Sequence, residues 1–158
     1  MLLVADTSPL ITLFLLDKFD LLAVLFPNFV LPQAVWAELN KHNEIRSHKE
    51  ELLKCSERVR QIKNFYSLSG IDKGETEAII LYKELNADIL LIDDKRARQT
   101  AESMDIQCVG TLAVLYKAKQ RKLIEELRPI FLQLNKMKRY YAVNYLNYFL
   151  SMANELEI

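Results

Sequence analysis

Asp6 and the pair Asp93-Asp94 each stand where a short apolar run stops, after Leu2-Leu3-Val4-Ala5 and after Ile89-Leu90-Leu91-Ile92. In an open parallel sheet the ligand crevice lies beyond the carboxyl ends of the strands, so an acid in either position points at it. Asp17, Asp20 and Asp88 fall in ordinary turns, and aspartate is favoured at helix starts, so any one of these acids read alone could be a cap. Two acidic strand ends far apart in one chain point further. Glu38 joins them, on the helix that follows Val30-Leu31 and on the border of the face that carries Val35. Glu75 and Glu77 lie on a later helix and, two residues apart, point to nearly opposite sides, so at most one should reach the others. Glu75 pairs with Asp72 in capping-box spacing, which makes Glu77 the freer candidate.

Carboxylates that converge in a partly buried crevice repel one another unless cations neutralise them. Oxygen-only donors select hard ions, so Mg2+ or Mn2+ is expected, bound through a few carboxylates, water and substrate phosphate. Such an ion activates water for in-line attack at phosphorus while a carboxylate takes the proton. Lys95, Arg96 and Arg98 follow the acidic pair and could meet phosphate, Arg98 best of the three. Lys117, Lys119, Arg121 and Lys122 form a second basic group without interleaved aromatics, which reads as a solvated helix face.

The elements that must position these side chains follow from periodicity. After the strand at 2–5, Ser8-Pro9 supplies a cap and a proline for the first helical position. Helices are expected to residue 16 and around 20–26, a strand at 29–31, and a helix from Pro32 or Gln33 to about 40. The mixed charges of 41–54 suggest a loop and then a solvated helix that runs to about Arg60. A helix over 73–86, a buried parallel strand at 89–92, a helix over 97–104, a strand at 106–109 and a helix after Gly110-Thr111 continue the alternation. Residues 123–158 carry no strand pattern and predict two helices divided near Asn135-Lys136. Tyr140, Tyr141, Tyr145 and Tyr148 recur there near helical spacing, as a core, a dimer face or a partner face. The expected architecture is a three-layer α/β Rossmann-like domain: a central, mostly parallel sheet of four to five short strands, flanked by helices, with a helical C-terminal tail.

The 158 residues, 51% hydrophobic, suffice for one substantial core. Lys plus Arg and Asp plus Glu number 21 each, so any nucleic-acid site must be local. Cys55 and Cys108 stand far apart, and with two histidines they are too few for a zinc cluster; both thiols should be reduced. The opening apolar run is broken at Asp6 and lacks a basic flank, so neither a signal peptide nor a membrane span is expected, and the cytoplasm is the default compartment.

Several of these segments, taken in order, resemble the PIN-domain nuclease superfamily, in its prokaryotic, VapC-like branch of toxin proteins. The similarity runs through Val4-Ala5-Asp6-Thr7-Ser8-Pro9-Leu10-Ile11, Pro32 with Val35 and Glu38, Gly74-Glu75-Thr76-Glu77-Ala78-Ile79, Ile92-Asp93-Asp94 with Arg98, and Gly110-Thr111, over residues 2–135. It implies a nuclease domain over 1–135, with 136–158 as a helical extension packed on that domain or on a partner. It further implies a divalent-metal-dependent endoribonuclease, the toxin of a toxin–antitoxin pair, with an RNA substrate, a small antitoxin that blocks the crevice, and a homodimer. Asp6, Glu38, Glu77 and one of Asp93 or Asp94 would bind the metal and do the catalysis; Thr7 or Ser8 would support the first carboxylate through a hydroxyl, with Arg98 toward substrate. Many relatives have aspartate at the place of Glu77 and threonine at the place of Ile92. Two other readings compete: a phosphohydrolase or phospho-acceptor domain with Asp6 as nucleophile, which lacks the usual second aspartate at position 8, and a catalytically inactive nucleic-acid or protein binding module.

Overall fold

The computed structural model describes residues 1–137, 139 and 141–158. Five short strands are formed among them, β1 (Leu3–Ala5), β2 (Leu31–Pro32), β3 (Val59–Arg60), β4 (Ile89–Leu91) and β5 (Cys108–Val109), and every pairing is parallel. β4 lies between β1 and β5, in register Val4 with Leu90 and Leu90 with Cys108. β2 pairs with β3, and a bridge between Val4 and Val30 joins this ladder to β1, with Ala5 N–H donating to Val30 O at 2.9 Å. Leu3, Val4, Ala5, Leu90 and Leu91 are fully buried, which is why their runs are unbroken rather than alternating.

The helices are α1 (Thr7–Leu15), α2 (Phe19–Leu25), α3 (Gln33–Lys41), α4 (Lys49–Ser56), α5 (Lys73–Glu84), α6 (Lys95–Ser103), α7 (Thr111–Gln120), α8 (Arg128–Lys136) and α9 (Val143–Met152), with a 3-10 turn at Asn43–Ile45. The described chain forms two compact units, Met1–Gly110 and Thr111–Ile158.

The first unit holds all the strands. Val4, Val30, Ile79, Leu81, Leu90, Ile92, Ala97, Ala101 and Ile106 make one contiguous core, in which the apolar stripes of α5 and α6 meet the sheet. Phe14 stacks on Phe19 with ring centroids 4.5 Å apart, and Phe19 meets Phe29 edge-on at 6.0 Å. Asn86 and Asp105 close α5 and α6 in the left-handed region, at φ 49° and 60°, as asparagine and aspartate can do after a helix.

Two expectations need correction. The helix before residue 60 ends at Ser56, and Val59–Arg60 is a strand. Two residues are too few to show a period; what makes them a strand is Arg58, whose carbonyl accepts from Leu31 N–H and whose guanidinium lies over the Phe29 ring and bonds the Pro27 and Phe29 carbonyls. α1 starts at Thr7, so its N-cap is Asp6 rather than Ser8, and Pro9 sits inside the first turn, where no amide is needed. The capping box at Asp72 forms as expected: Glu75 N–H donates to Asp72 Oδ1 at 2.8 Å and Asp72 N–H to Glu75 Oε2 at 3.3 Å.

In the second unit, Glu155 accepts from the Leu127 and Arg128 amides at 2.8 and 2.7 Å and from Lys119. A remote carboxylate thus serves the start of α8, which has no side-chain cap of its own. Tyr116, Tyr145 and Tyr148 surround Phe149, while Tyr145 and Tyr148 remain exposed; Tyr140 lies outside the described residues. Both cysteines are buried free thiols, and burial pushes Cys55 up to about 12 and Cys108 to about 11. Among the described residues, no helix is long and apolar enough to cross a membrane.

Because Phe14 is wholly buried and stacked, Phe14→Ala should cost about 3–5 kcal/mol in urea unfolding, the range for aromatic truncation in a packed core.

Candidate metal centre

Asp6 follows β1 directly, and its N–H donates to Leu91 O at 3.0 Å, so the β1–β4 ladder fixes its place. It is only 3% exposed. Burial raises its pKa well above the usual aspartate value; a hydrogen bond from the Thr7 backbone opposes this, and Glu75, Asp72 and Glu38 raise it further by repulsion. The charged groups that act most strongly on this buried carboxylate are acidic.

Glu38 comes to the same place from α3. Its Oε2 accepts a hydrogen bond from the Thr7 hydroxyl. The α5 backbone can pass so close to it only because residue 74 is glycine: a Cβ there would lie 2.5 Å from Glu38 Oε1. The Thr7 hydroxyl thus orients Glu38 rather than Asp6, and Ser8 contributes a backbone carbonyl that accepts from the Thr12 hydroxyl at 3.0 Å.

The two glutamates of α5 lie in different surroundings, and Glu77 is not the freer one. Glu77 is buried and its Oε2 accepts from Ala34 N–H at 2.9 Å, so it caps the start of α3 across the domain. Glu75 is the one that meets the acids. Burial, then repulsion from Asp72, raise its pKa to about 7; the backbone of Asp72 opposes this, and Asp94 and Glu38 add to it. It accepts from Asp72 N–H at 3.3 Å, completing the capping box, and is repelled at the same time by the neighbouring acids. A spacing pattern reveals that a cap is possible but not whether it occupies the whole carboxylate. Asp72 also belongs to this group by its effect on Asp6, and only its place before α5 could have suggested it.

Asp93 and Asp94 separate as well. Asp94 is the N-cap of α6, accepting from Ala97 N–H at 2.8 Å, and is the member of the pair that acts on Glu75. Asp93 turns to Gly110, where an added Cβ would be 2.9 Å from its Oδ1 and 3.7 Å from Arg98 Nη1. Arg98 is braced by Glu102 at 2.8 Å and by Cys108 O at 3.3 Å.

The donors are oxygens, and the strongest charged neighbours of Asp6 and Glu75 are other acids, which is the chemistry of a hard-cation site. Among the described residues, no three acids, histidines or cysteines close on one point tightly enough to enclose an ion by themselves.

A parallel α/β domain with acids gathered beyond β1, β2 and β4 defines a class of small domain with an acidic crevice at the strand ends. The PIN-domain family profile matches residues 2–155, and the chain belongs to that family. Its members are, in general, metal-dependent nucleases. Among solved structures, it is similar to a PilT N-terminus domain protein from the hyperthermophilic archaeon Sulfolobus solfataricus P2, with a TM-score of 0.52, 20% identity, and 75% of this chain and 93% of that one covered. That likeness shows the PIN-like α/β fold. Comparison with curated proteins gives no match.

The two α5 glutamates should respond oppositely to substitution. Glu77→Ala leaves the Ala34 amide without its carboxylate and should cost about 1–3 kcal/mol in urea unfolding. Glu75 titrates higher folded than unfolded, so its ionisation opposes folding: stability should fall as pH rises from its ordinary value of 4.5 through about 7. Carboxyl-carbon NMR of metal-free protein should find the Glu75 midpoint near 7, and Glu75→Gln should flatten that part of the stability profile.

Proposed function

We propose that this chain is an endoribonuclease that cleaves RNA phosphodiester bonds with Mg2+ or Mn2+. The observation that carries the reading is the mutual repulsion among Asp6, Glu38, Glu75 and Asp94 at the strand ends, a cost that fits a place for cations. Asp6, Glu38, Glu75 and Asp94 would be the direct or water-mediated ligands; Glu77 would act indirectly, by fixing the start of the helix that carries Glu38. A bound magnesium or manganese ion would supply the Lewis acidity that activates water and offsets charge on the phosphate. Asp6, buried and fixed by β1, would set the position of the site. Glu75 would reach the ion through water, and with its carboxylate held ionised by the cation's charge it would take the proton of the attacking water. Thr7 holds Glu38 in orientation, and Arg98, beside Asp93 and Gly110, would face the phosphate.

The phospho-acceptor reading lacks the second aspartate two residues after its nucleophile: position 8 is Ser8, whose carbonyl accepts from the Thr12 hydroxyl. By analogy within the family we further infer a toxin role, a small antitoxin partner that covers the crevice, a homodimer, and a cytoplasmic site of action. The exposed Tyr145 and Tyr148 of α9 are the candidates for a subunit face.

Purified protein should cut single-stranded RNA with Mg2+ or Mn2+ and lose cutting in EDTA. Asp6→Asn should lower the rate about 100-fold or more, the range of a group essential to proton transfer or metal positioning. Cleavage at the wild-type rate by Asp6→Asn, or unchanged cleavage in EDTA, would overturn the assignment.

A further inference from the structure

Beside the acids, on the other side of the first turn of α5, lies a groove of about 530 Å³. Ile62, Phe65 and Ile71 form its apolar part, Lys63 and Lys73 its basic part, and Glu77 closes it with a carboxylate already engaged by Ala34. Lys73 opens the helix turn that also carries Glu75, so groove and acidic crevice are separated by about one helix width, roughly 10 Å.

The loop that presents Phe65 is anchored at both ends. Glu84 takes the Lys63 amide with both oxygens, at 2.9 and 2.8 Å, and the Asn64 amide at 3.0 Å. At the far end the chain turns through Gly70 at φ +71°, with the Arg96 guanidinium lying across it, and enters the Asp72 capping box. Between these anchors Phe65 is 56% exposed, an aromatic ring on a held loop instead of in a core. Among the described residues, Lys63 and Lys73 form no ion pair, which leaves positive charge in the same groove as an apolar ring.

We propose that this groove is a base-binding subsite for single-stranded RNA, in which Phe65 stacks on an unpaired base near the scissile phosphate and Lys73 and Lys63 hold the adjoining backbone. The proposal rests on the nuclease reading above and adds to it a reason for preferring single strands. A ring that is accessible on a fixed backbone loses little entropy on stacking, and every base offers a π face, so the contact tolerates sequence. A duplex keeps its bases inside and cannot use it. Charge complementarity selects this occupant: the two lysines of the groove suit a polyanion that reaches onward to a metal-loaded crevice.

Binding of a fluorescein-labelled oligouridine can be followed by anisotropy in EDTA, where cleavage plays no part. Phe65→Ala should weaken binding roughly 5- to 100-fold, the range for loss of one base–aromatic stack, and Phe65→Leu should behave alike because it keeps the volume but not the π face. Phe65→Trp should retain affinity, and Tyr66→Ala, next in the loop but outside the groove lining, should change it less than twofold. Lys73→Gln should make the salt dependence shallower by about one in log–log slope. An RNA duplex of equal length should be indifferent to Phe65. Asp6→Asn should still bind oligouridine, so loss of cleavage with binding intact would separate the crevice from the subsite.

Equal affinity of wild type, Phe65→Ala and Phe65→Leu, no binding of the oligonucleotide at 100 µM protein (about the top of the nonspecific range), or equal weakening of single strand and duplex would overturn the proposal. So would a change confined to sedimentation behaviour, which would make the groove a contact between copies of the chain.

Discussion

The burial of the Asp6 carboxylate is the constraint on which the rest of this domain depends. An ionisable group almost wholly removed from water, with other acids as its strongest charged neighbours, is costly to hold ionised. It stays in place because it follows a fully buried strand whose register with β4 is fixed, and because its own amide closes the ladder on Leu91. The helices that follow β2 and β4, and the N-terminal turn of α5, bring Glu38, Asp94 and Glu75 toward the same point. A hydroxyl on Thr7 and the missing side chain of Gly74 set how close they come.

Stability and charge are divided between neighbouring residues. Glu77 is used up in capping α3, and Asp94 caps α6 while still acting on Glu75. Glu75 completes the capping box of its own helix and carries the repulsion at the same time. The helix starts that gather acids around the crevice are held by acids themselves, so the folding of the first unit and the charge of its crevice cannot be tuned independently. A proton on Glu75 relieves the repulsion in the metal-free protein, and a cation would do the same by neutralising it.

Much of this was legible in the sequence. Unbroken apolar runs that end in acids gave β1 and β4 and their carboxyl ends, and the ordered segments from Val4 to Thr111 pointed to the family that the profile match then established. Asp6, Glu38 and the acidic pair could be located because their positions follow from strand ends and from the helix after β2. The choice between Glu75 and Glu77 could not be read, because both flank the apolar stripe of α5 and only the distant amide of Ala34 decides which one is occupied. β3 was missed for a similar reason: two residues hold no period, and their pairing depends on Arg58 reaching back to the segment before β2. Nothing in the sequence marks Phe65, since the bonds from Glu84 that hold its loop come from twenty residues further along the chain.

The central claim is that the acids beyond β1, β2 and β4 gather around a divalent cation. The most direct measurement is paramagnetic broadening of carboxyl-carbon NMR signals as Mn2+ is titrated into protein labelled at aspartate and glutamate. The account predicts that Asp6, Glu38, Glu75 and Asp94 broaden first and together, with Glu77 affected later. Broadening that begins at surface acids such as Glu50 and Glu51 and leaves Asp6 sharp would contradict it.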